Sequence, residues 1–409
     1  MRSSRSFIIN SERFFSWLVC FLWGYHAFFR FLGIAFNRIP LVGSLFMPII
    51  VSILIIGAVP YILRCIHSSD VLFTIITLLI VILTLFINAQ TTKPFEDIWL
   101  EFSFQCFIMY FVGLAGIKKM GHDKKLIETM CLISMFSILT LTIIYNATSS
   151  GAEYEWSSNQ YIPYSLLPHI LLLLASLFEQ MSIVKLALVL YGTLNLVMLG
   201  NRGSVVCLLV MLLLLSYFKT KELESKKKYI FLLFLLLLLF IVWGTNIYEM
   251  ALLGAYKYAL EHNLSTRVFQ TFLGEYTSGT TFDSGRLDIQ RDLLQRLKEN
   301  PFGYGLGSDR YFATQYAHNI LLEIALNFGV FVGGAMIIEL LSVLIRGFKL
   351  ASSRMEIRNL FFIFLCLGFV KLFISGSYLT DPYFFILLGM SIGLKRETKQ
   401  QTYIDENNF

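Results

Sequence analysis

Residues Lys226–Thr245 read KKKYIFLLFLLLLLFIVWGT. Three lysines lead into a stretch of Leu, Ile and Phe that carries no charge from Tyr229 onward. About 20 apolar residues in a helix span the roughly 30 Å hydrocarbon core of a bilayer. Backbone in lipid must satisfy its own hydrogen bonds, so such a run is a helix or a strand of a closed barrel. The period-two alternation of a barrel strand is missing, and the helix remains. Comparable runs recur at 17–36, 45–63, 71–87, 98–117, 127–145, 164–178, 184–199, 203–218, 319–345, 359–375 and 383–394. Together with 229–245 they predict an all-α polytopic membrane protein with about twelve transmembrane helices.

Composition agrees. Hydrophobic residues make up 56% of the chain and charged residues 15%, with 38 Phe, and the mean hydropathy is +0.68. The formal net charge of +6 need not mean nucleic acid, because cytoplasmic loops of membrane proteins collect Lys and Arg. With both termini inside, the inner segments hold Lys118, Lys119, Lys124, Lys125, Lys226, Lys227, Lys228, Arg346, Lys349, Lys395 and Arg396, among others. The short outer loops hold only Arg38, Lys93 and Arg202. This asymmetry predicts cytoplasmic termini and one long, partly helical extracytoplasmic loop at 246–318, between spans in 1–245 and spans plus a tail in 319–409. The basic N-terminus reads as leading into an uncleaved first span. The six cysteines show neither a disulfide framework nor zinc spacing.

The long loop balances carboxylates with Lys and Arg, which argues against a polyanion-binding arm, and loops of this length usually hold structure. Asp283 or Ser284 can cap a helix from Arg286 to Glu299, which Asn300-Pro301 stops. Leu287, Leu294 and Leu297 fall near one face of it, with Leu293 beside them. Arg286 stands in its first turn, where exposed backbone N–H groups already favour an anion. A guanidinium added there makes a phosphate or pyrophosphate site. Gly303-Tyr304-Gly305-Leu306-Gly307 follows no strand and is therefore a tight turn rather than a dinucleotide fingerprint. His318-Asn319 opens the next apolar run. His318 is either a cap residue or a proton acceptor near neutral pH.

Other candidates carry two readings each. Arg202, in the turn Gly200–Ser204, either clamps a phosphate bidentately or snorkels at a helix end. Lys371, inside an apolar run, marks a functional cation, a snorkelling lysine or a partner of Asp381. The acidic, aromatic segment around Glu153, Glu155, Trp156 and Tyr161 suits sugar rings or is an interfacial aromatic belt.

Gly200-Asn201-Arg202-Gly203, Ser284-Gly285-Arg286, Asn300-Pro301-Phe302-Gly303-Tyr304-Gly305 and Tyr316-Ala317-His318-Asn319, in this order, resemble the O-antigen ligase and polymerase superfamily of lipid-linked glycan transferases. The resemblance covers the C-terminal half. The ligase pattern has His-Asn, nine residues, Gly, two residues, then Gly, Thr or Tyr; here Gly329 fits, Val332 fills the last position and Gly333 comes one late. Val206 stands where the ligase pattern has a leucine four residues after its arginine. Arg296 and Gly307 fit a ten-residue spacing described for some polymerases.

The resemblance implies a bacterial inner-membrane enzyme of O-antigen, capsule or exopolysaccharide assembly. Its donor is an undecaprenyl pyrophosphate-linked oligosaccharide, it needs no cofactor, and a flippase and a chain-length regulator are expected partners. It further implies an inverting, metal-independent glycosyl transfer. Arg202 and Arg286 hold the pyrophosphate, His318 orients or deprotonates the acceptor or binds phosphate, and Glu275 is a reserve base. Arg291, Asn319, Tyr304, Arg310 and Lys371 stand as candidates for substrate binding. The departures from the ligase pattern favour a polymerase that transfers the growing glycan to the next lipid-linked repeat unit, with a ligase that transfers glycan to lipid A core and a lipid-linked oligosaccharide flippase as alternatives. A peptidoglycan glycosyltransferase is similar at fold level only.

Overall fold

In a computed structural model the described residues are 2–35, 40–87, 89–121, 123–149, 161–198, 201–222, a few positions between 253 and 261, and 286–407. Every regular element among them is helical. Six helices are long and apolar enough to cross a membrane: Ser68–Phe86, Lys93–Met120, Lys124–Ile143, Ile162–Glu179, Gly203–Lys221 and Ile320–Ser352. Ile49–Cys65 and Ile183–Val197 are shorter apolar helices. These coincide with expected spans, and the expected span at 229–245 lies outside the described residues. Of the apolar window in Ser68–Phe86 only 6% is buried inside the protein. A helix this apolar and this bare needs lipid around it.

Two compact units form. The first comprises Met1–Trp23, Arg38–Met130 and Gly285–Phe409; the second comprises Gly24–Asn37 and Cys131–Ser284. In the second, helix Tyr161–Glu179 packs on Ile183–Met198 and Arg202–Glu222. A Cβ on Gly192 would meet Ile170 at 3.0 Å, so that pair of helices is close-packed.

The first unit is assembled around Pro382–Asn407, which lies along Ile108–Met120 and also packs on Gly334–Ser352 and Met355–Leu365. A Cβ on Gly389 would stand 2.0 Å from the Tyr110 carbonyl oxygen, and one on Gly113 would stand 2.2 Å from that of Ile386. The two backbones therefore touch, as small residues permit between membrane helices. Replacing Gly389 by Leu forces the helices apart. Overpacking costs about 1–3 kcal/mol where side chains can yield, and backbone yields less. We expect this variant to lose most of its thermal stability in detergent. At the polar end of the same helix, Arg396 donates to both oxygens of buried Asp70, at 2.6 and 2.7 Å. The Tyr110 hydroxyl and the His67 N–H reach the same carboxylate at 2.7 and 2.8 Å.

The expected span at 319–345 is interrupted. Ile320–Ser352 has 33 residues, which is about 50 Å of helix, well over a bilayer core. Gly329, at φ 78 and ψ 172, breaks it. Ile320–Phe328 is thereby separated from a π-helical turn, Gly329–Gly333, and the following helix Gly334–Ser352.

Candidate functional site

The helix Arg286–Glu299 forms as expected. Its buried face is a different one, set by a spacing of four: Leu293 and Leu297 are buried with Ala317, Leu322 and Leu326, and Ile289 packs beside them. Leu287 and Leu294 are 45% and 47% exposed. The polar helix is thus seated on Ile320–Phe328, and this seat fixes Arg286. Its expected caps, Asp283 and Ser284, lie outside the described residues. Arg291 pairs with Asp288 at 3.2 Å on the exposed side, an arrangement worth little in water. Arg296 stacks its guanidinium over the Phe312 ring at 5.3 Å.

After the helix, Asn300 closes a turn by donating to the Gly303 carbonyl at 2.8 Å. The chain then runs past the end of Ile320–Phe328. The Tyr304 N–H reaches the Leu326 carbonyl at 2.8 Å, Gly305 reaches Asn327 at 3.0 Å, and Val330 reaches Pro301 at 2.8 Å. The first two of these bonds satisfy carbonyls that the end of Ile320–Phe328 otherwise leaves open. Gly303 and Gly329 meet backbone to backbone there, both at positive φ. Tyr304 is part of this joint: its hydroxyl donates to the Arg296 carbonyl at 3.0 Å and its ring meets Phe312 edge-on at 4.8 Å.

His318 sits where the chain turns into Ile320–Phe328. Its φ is +53, a left-handed conformation that costs a non-glycine residue about 1–3 kcal/mol unless its surroundings hold it. Several groups do. Asn319 caps the helix, its side-chain oxygen accepting from Leu321 and Leu322 N–H at 3.0 and 3.3 Å. Gln290 donates to the His318 carbonyl at 3.4 Å. The Tyr316 ring lies 4.3 Å from the imidazole, and its hydroxyl is 3.3 Å from Ser375 Oγ.

The imidazole is only 7% exposed, and its Nδ1 is buried with no hydrogen-bond partner among the described residues. Burial, then the positive charge of Arg286, push its pKa down to about 4, against an opposing hydrogen bond to the Ile374 backbone. The ring is therefore neutral at pH 7, with an arginine within electrostatic reach.

Beneath it lie acids. Asp309 is fully buried, and its Oδ2 accepts the Ala317 N–H at 3.0 Å. Burial raises its carboxyl above the usual range, and Arg310 offsets part of this. Glu323 accepts from the Ser377 hydroxyl and from the Tyr378 N–H, the latter at 3.3 Å. Arg310 acts electrostatically on Asp309, Glu323 and Glu101, a counter-charge to carboxylates. Lys371 forms an ion pair with Asp381, its ammonium 5.4 Å from the Tyr383 ring. Pairing, one of the three readings of this lysine, is the one observed.

Arg286, Tyr304, Arg310, His318 and Asn319 thus share one joint of the first unit. Arg291 stands on the exposed side of its helix. Arg202 opens the helix Arg202–Glu222 of the other unit, where Asn201 accepts from Ser204 N–H at 3.2 Å; the Arg202 side chain is outside what is described. Glu275 and residues 151–160 are outside it too. Sequence reading gave no role to Gln290, Asp309, Tyr316 or the segment Ser375–Tyr378. The available signals were an acid inside the glycine-rich turn and a small, polar interruption, Ser375-Gly376-Ser377, in an apolar run.

Fold and site together define a helical membrane protein that presents an arginine and a neutral histidine on a structured polar loop. A family model described as Wzy_C, O-Antigen ligase, matches residues 186–338, which supports the likeness to the O-antigen ligase and polymerase superfamily. No curated relative and no solved structure matches.

Proposed function

We propose that the chain polymerises lipid-linked oligosaccharide repeat units. It transfers the growing glycan from undecaprenyl pyrophosphate to the next lipid-linked unit at the outer face of the inner membrane. One observation carries the reading: Arg286, in the first turn of its helix, acts on a buried, neutral His318. In the proposed step an acceptor hydroxyl attacks the anomeric carbon, inverting it, and the bond to pyrophosphate breaks. Arg286 holds the pyrophosphate as charge develops on it. His318 takes the acceptor's proton. The scheme uses no metal ion. Arg310 acts electrostatically on Asp309 and Glu323, and Asn319 and Tyr304 hold the joint.

Two departures from the ligase pattern support polymerase over ligase. Val332 is 58% exposed where that pattern has Gly, Thr or Tyr. Gly333 takes the close contact instead, where a Cβ would stand 2.9 Å from the Ile324 carbonyl oxygen. Val206 replaces the pattern's leucine. The ligase reading stands second, because the matching family model bears that description.

Deletion of the gene in its host, with the lipid-linked glycan run on a gel, tests this. Single repeat units left on their lipid support a polymerase. Full-length chains stranded on undecaprenyl pyrophosphate establish a ligase. Units trapped on the cytoplasmic side establish a flippase and remove the catalytic roles of Arg286 and His318.

The histidine makes a pH prediction. Its pKa is lowered to about 4, so the proton-accepting form persists above that pH and is lost as pH falls through it. The profile of kcat/KM reports groups of the free enzyme. It should show no imidazole limb near 6.5, the usual value for histidine. A limb there that His318→Gln abolishes would contradict this geometry.

A further inference from the structure

We propose that Asp309 is a positioning residue for His318: its carboxylate, through the Ala317 N–H, holds the histidine in its left-handed conformation. Asp309 is fully buried, and Oδ2 accepts that N–H at 3.0 Å. The bond falls on the residue immediately before the strained one, where it restrains the backbone that aims the ring. The opposite wall is held by a second acid. Glu323 binds Ser377 and Tyr378, in the loop whose Ile374 and Ser375 meet His318 and Tyr316. Asp309 and Glu323 are within electrostatic reach of each other, and Arg310 acts on both.

A further strut runs from Ser308 to Asn327 at 3.2 Å and from Asn327 to the Tyr378 hydroxyl at 2.9 Å. It fixes the turn that carries Asp309. Asp309 Oδ1 has no hydrogen-bond partner among the described residues; besides the Ala317 N–H, the backbone N–H groups of Asp309 and Arg310 act on the carboxyl. An asparagine amide, its oxygen in the Oδ2 place, can make the same bond. An apolar or shorter side chain cannot.

The test combines chemical modification with activity. Purified full-length protein in nanodiscs is treated with diethyl pyrocarbonate, and carbethoxylation of each histidine is measured by mass spectrometry. His169 is 1% exposed and lies in the other unit, so it reports unfolding. Exposed His67 is the reference. Asp309→Ala should raise His318 reactivity severalfold with His169 unchanged, and Asp309→Asn should keep the wild-type rate.

Activity on lipid-linked repeat units extracted from the deletion host should follow. The alanine variant should lose about 10²-fold in kcat, as small misplacements of a reacting group do, with KM little changed. The asparagine variant should retain most of it. Unchanged His318 reactivity in the alanine variant, or an asparagine variant as inactive as alanine, overturns the proposal. Should Asp309→Ala expose His169, Asp309→Ser is used, and its unfolding too would make Asp309 a fold determinant and end the positioning role.

The activity arm rests on the proposed function, and the modification arm does not. If His318→Gln stays active while Asp309→Ala still frees the ring, the catalytic reading fails and the positioning survives.

Discussion

Arg286→Ala should leave the protein in the membrane at wild-type level and abolish long glycan. The helix it opens does not depend on it: Leu293 and Leu297 seat that helix on Leu322 and Leu326, and alanine is the best helix former. What disappears is a cation at a helix N-terminus, beside a neutral imidazole. Removing one donor that stabilises developing charge typically costs about 10²–10³ in rate. Arg286→Lys keeps the charge without the planar fork and should fall between. The chain-length ladder on a gel, with an immunoblot for protein level, reads the result. A wild-type ladder in the alanine variant would mean that the pyrophosphate is held elsewhere.

Gly303→Ala and Gly329→Ala should each dismantle the site, whereas Gly334→Ala should be silent. A Cβ on Gly303 would stand 2.3 Å from the Gly329 backbone N, and one on Gly329 would stand 2.5 Å from the Phe302 backbone C. Both clashes are with backbone, which cannot rotate away. Their φ values, +86 and +78, add about 1–3 kcal/mol of strain for an alanine. The hydrogen bonds from Tyr304, Gly305 and Val330 depend on that approach, so the turn, Asp309 and His318 move with it. A Cβ on Gly334 meets nothing within 4 Å. Thermal melts in detergent and the glycan ladder should separate the first two variants from the third. Wild-type behaviour of Gly303→Ala would show that the two turns do not need to touch.

Some of this was legible at the outset. Apolar runs announced helices because a lipid-covered helix has no polar stripe to preserve. The place of Arg286 in the first turn of its helix was legible too, because Asn300-Pro301 downstream limits where that helix can run. The amphipathic helix was legible in its limits, since Pro301 cannot continue it. Its face was legible only in part: Leu297, and Leu293 beside it, are buried as expected, whereas Leu287 and Leu294 stay exposed and Ile289 packs instead, a choice made by the partner surface.

Sequence by itself determined the helical membrane class and the limits of the polar helix Arg286–Glu299, because those follow from hydropathy and local geometry. Tertiary structure alone decided the break of Ile320–Ser352 at Gly329. It also decided the pairing of Lys371 with Asp381 and the hold of Asp309 on Ala317. Each depends on two segments meeting in space, and a buried charge or a bare glycine takes its meaning from the atom on the other side.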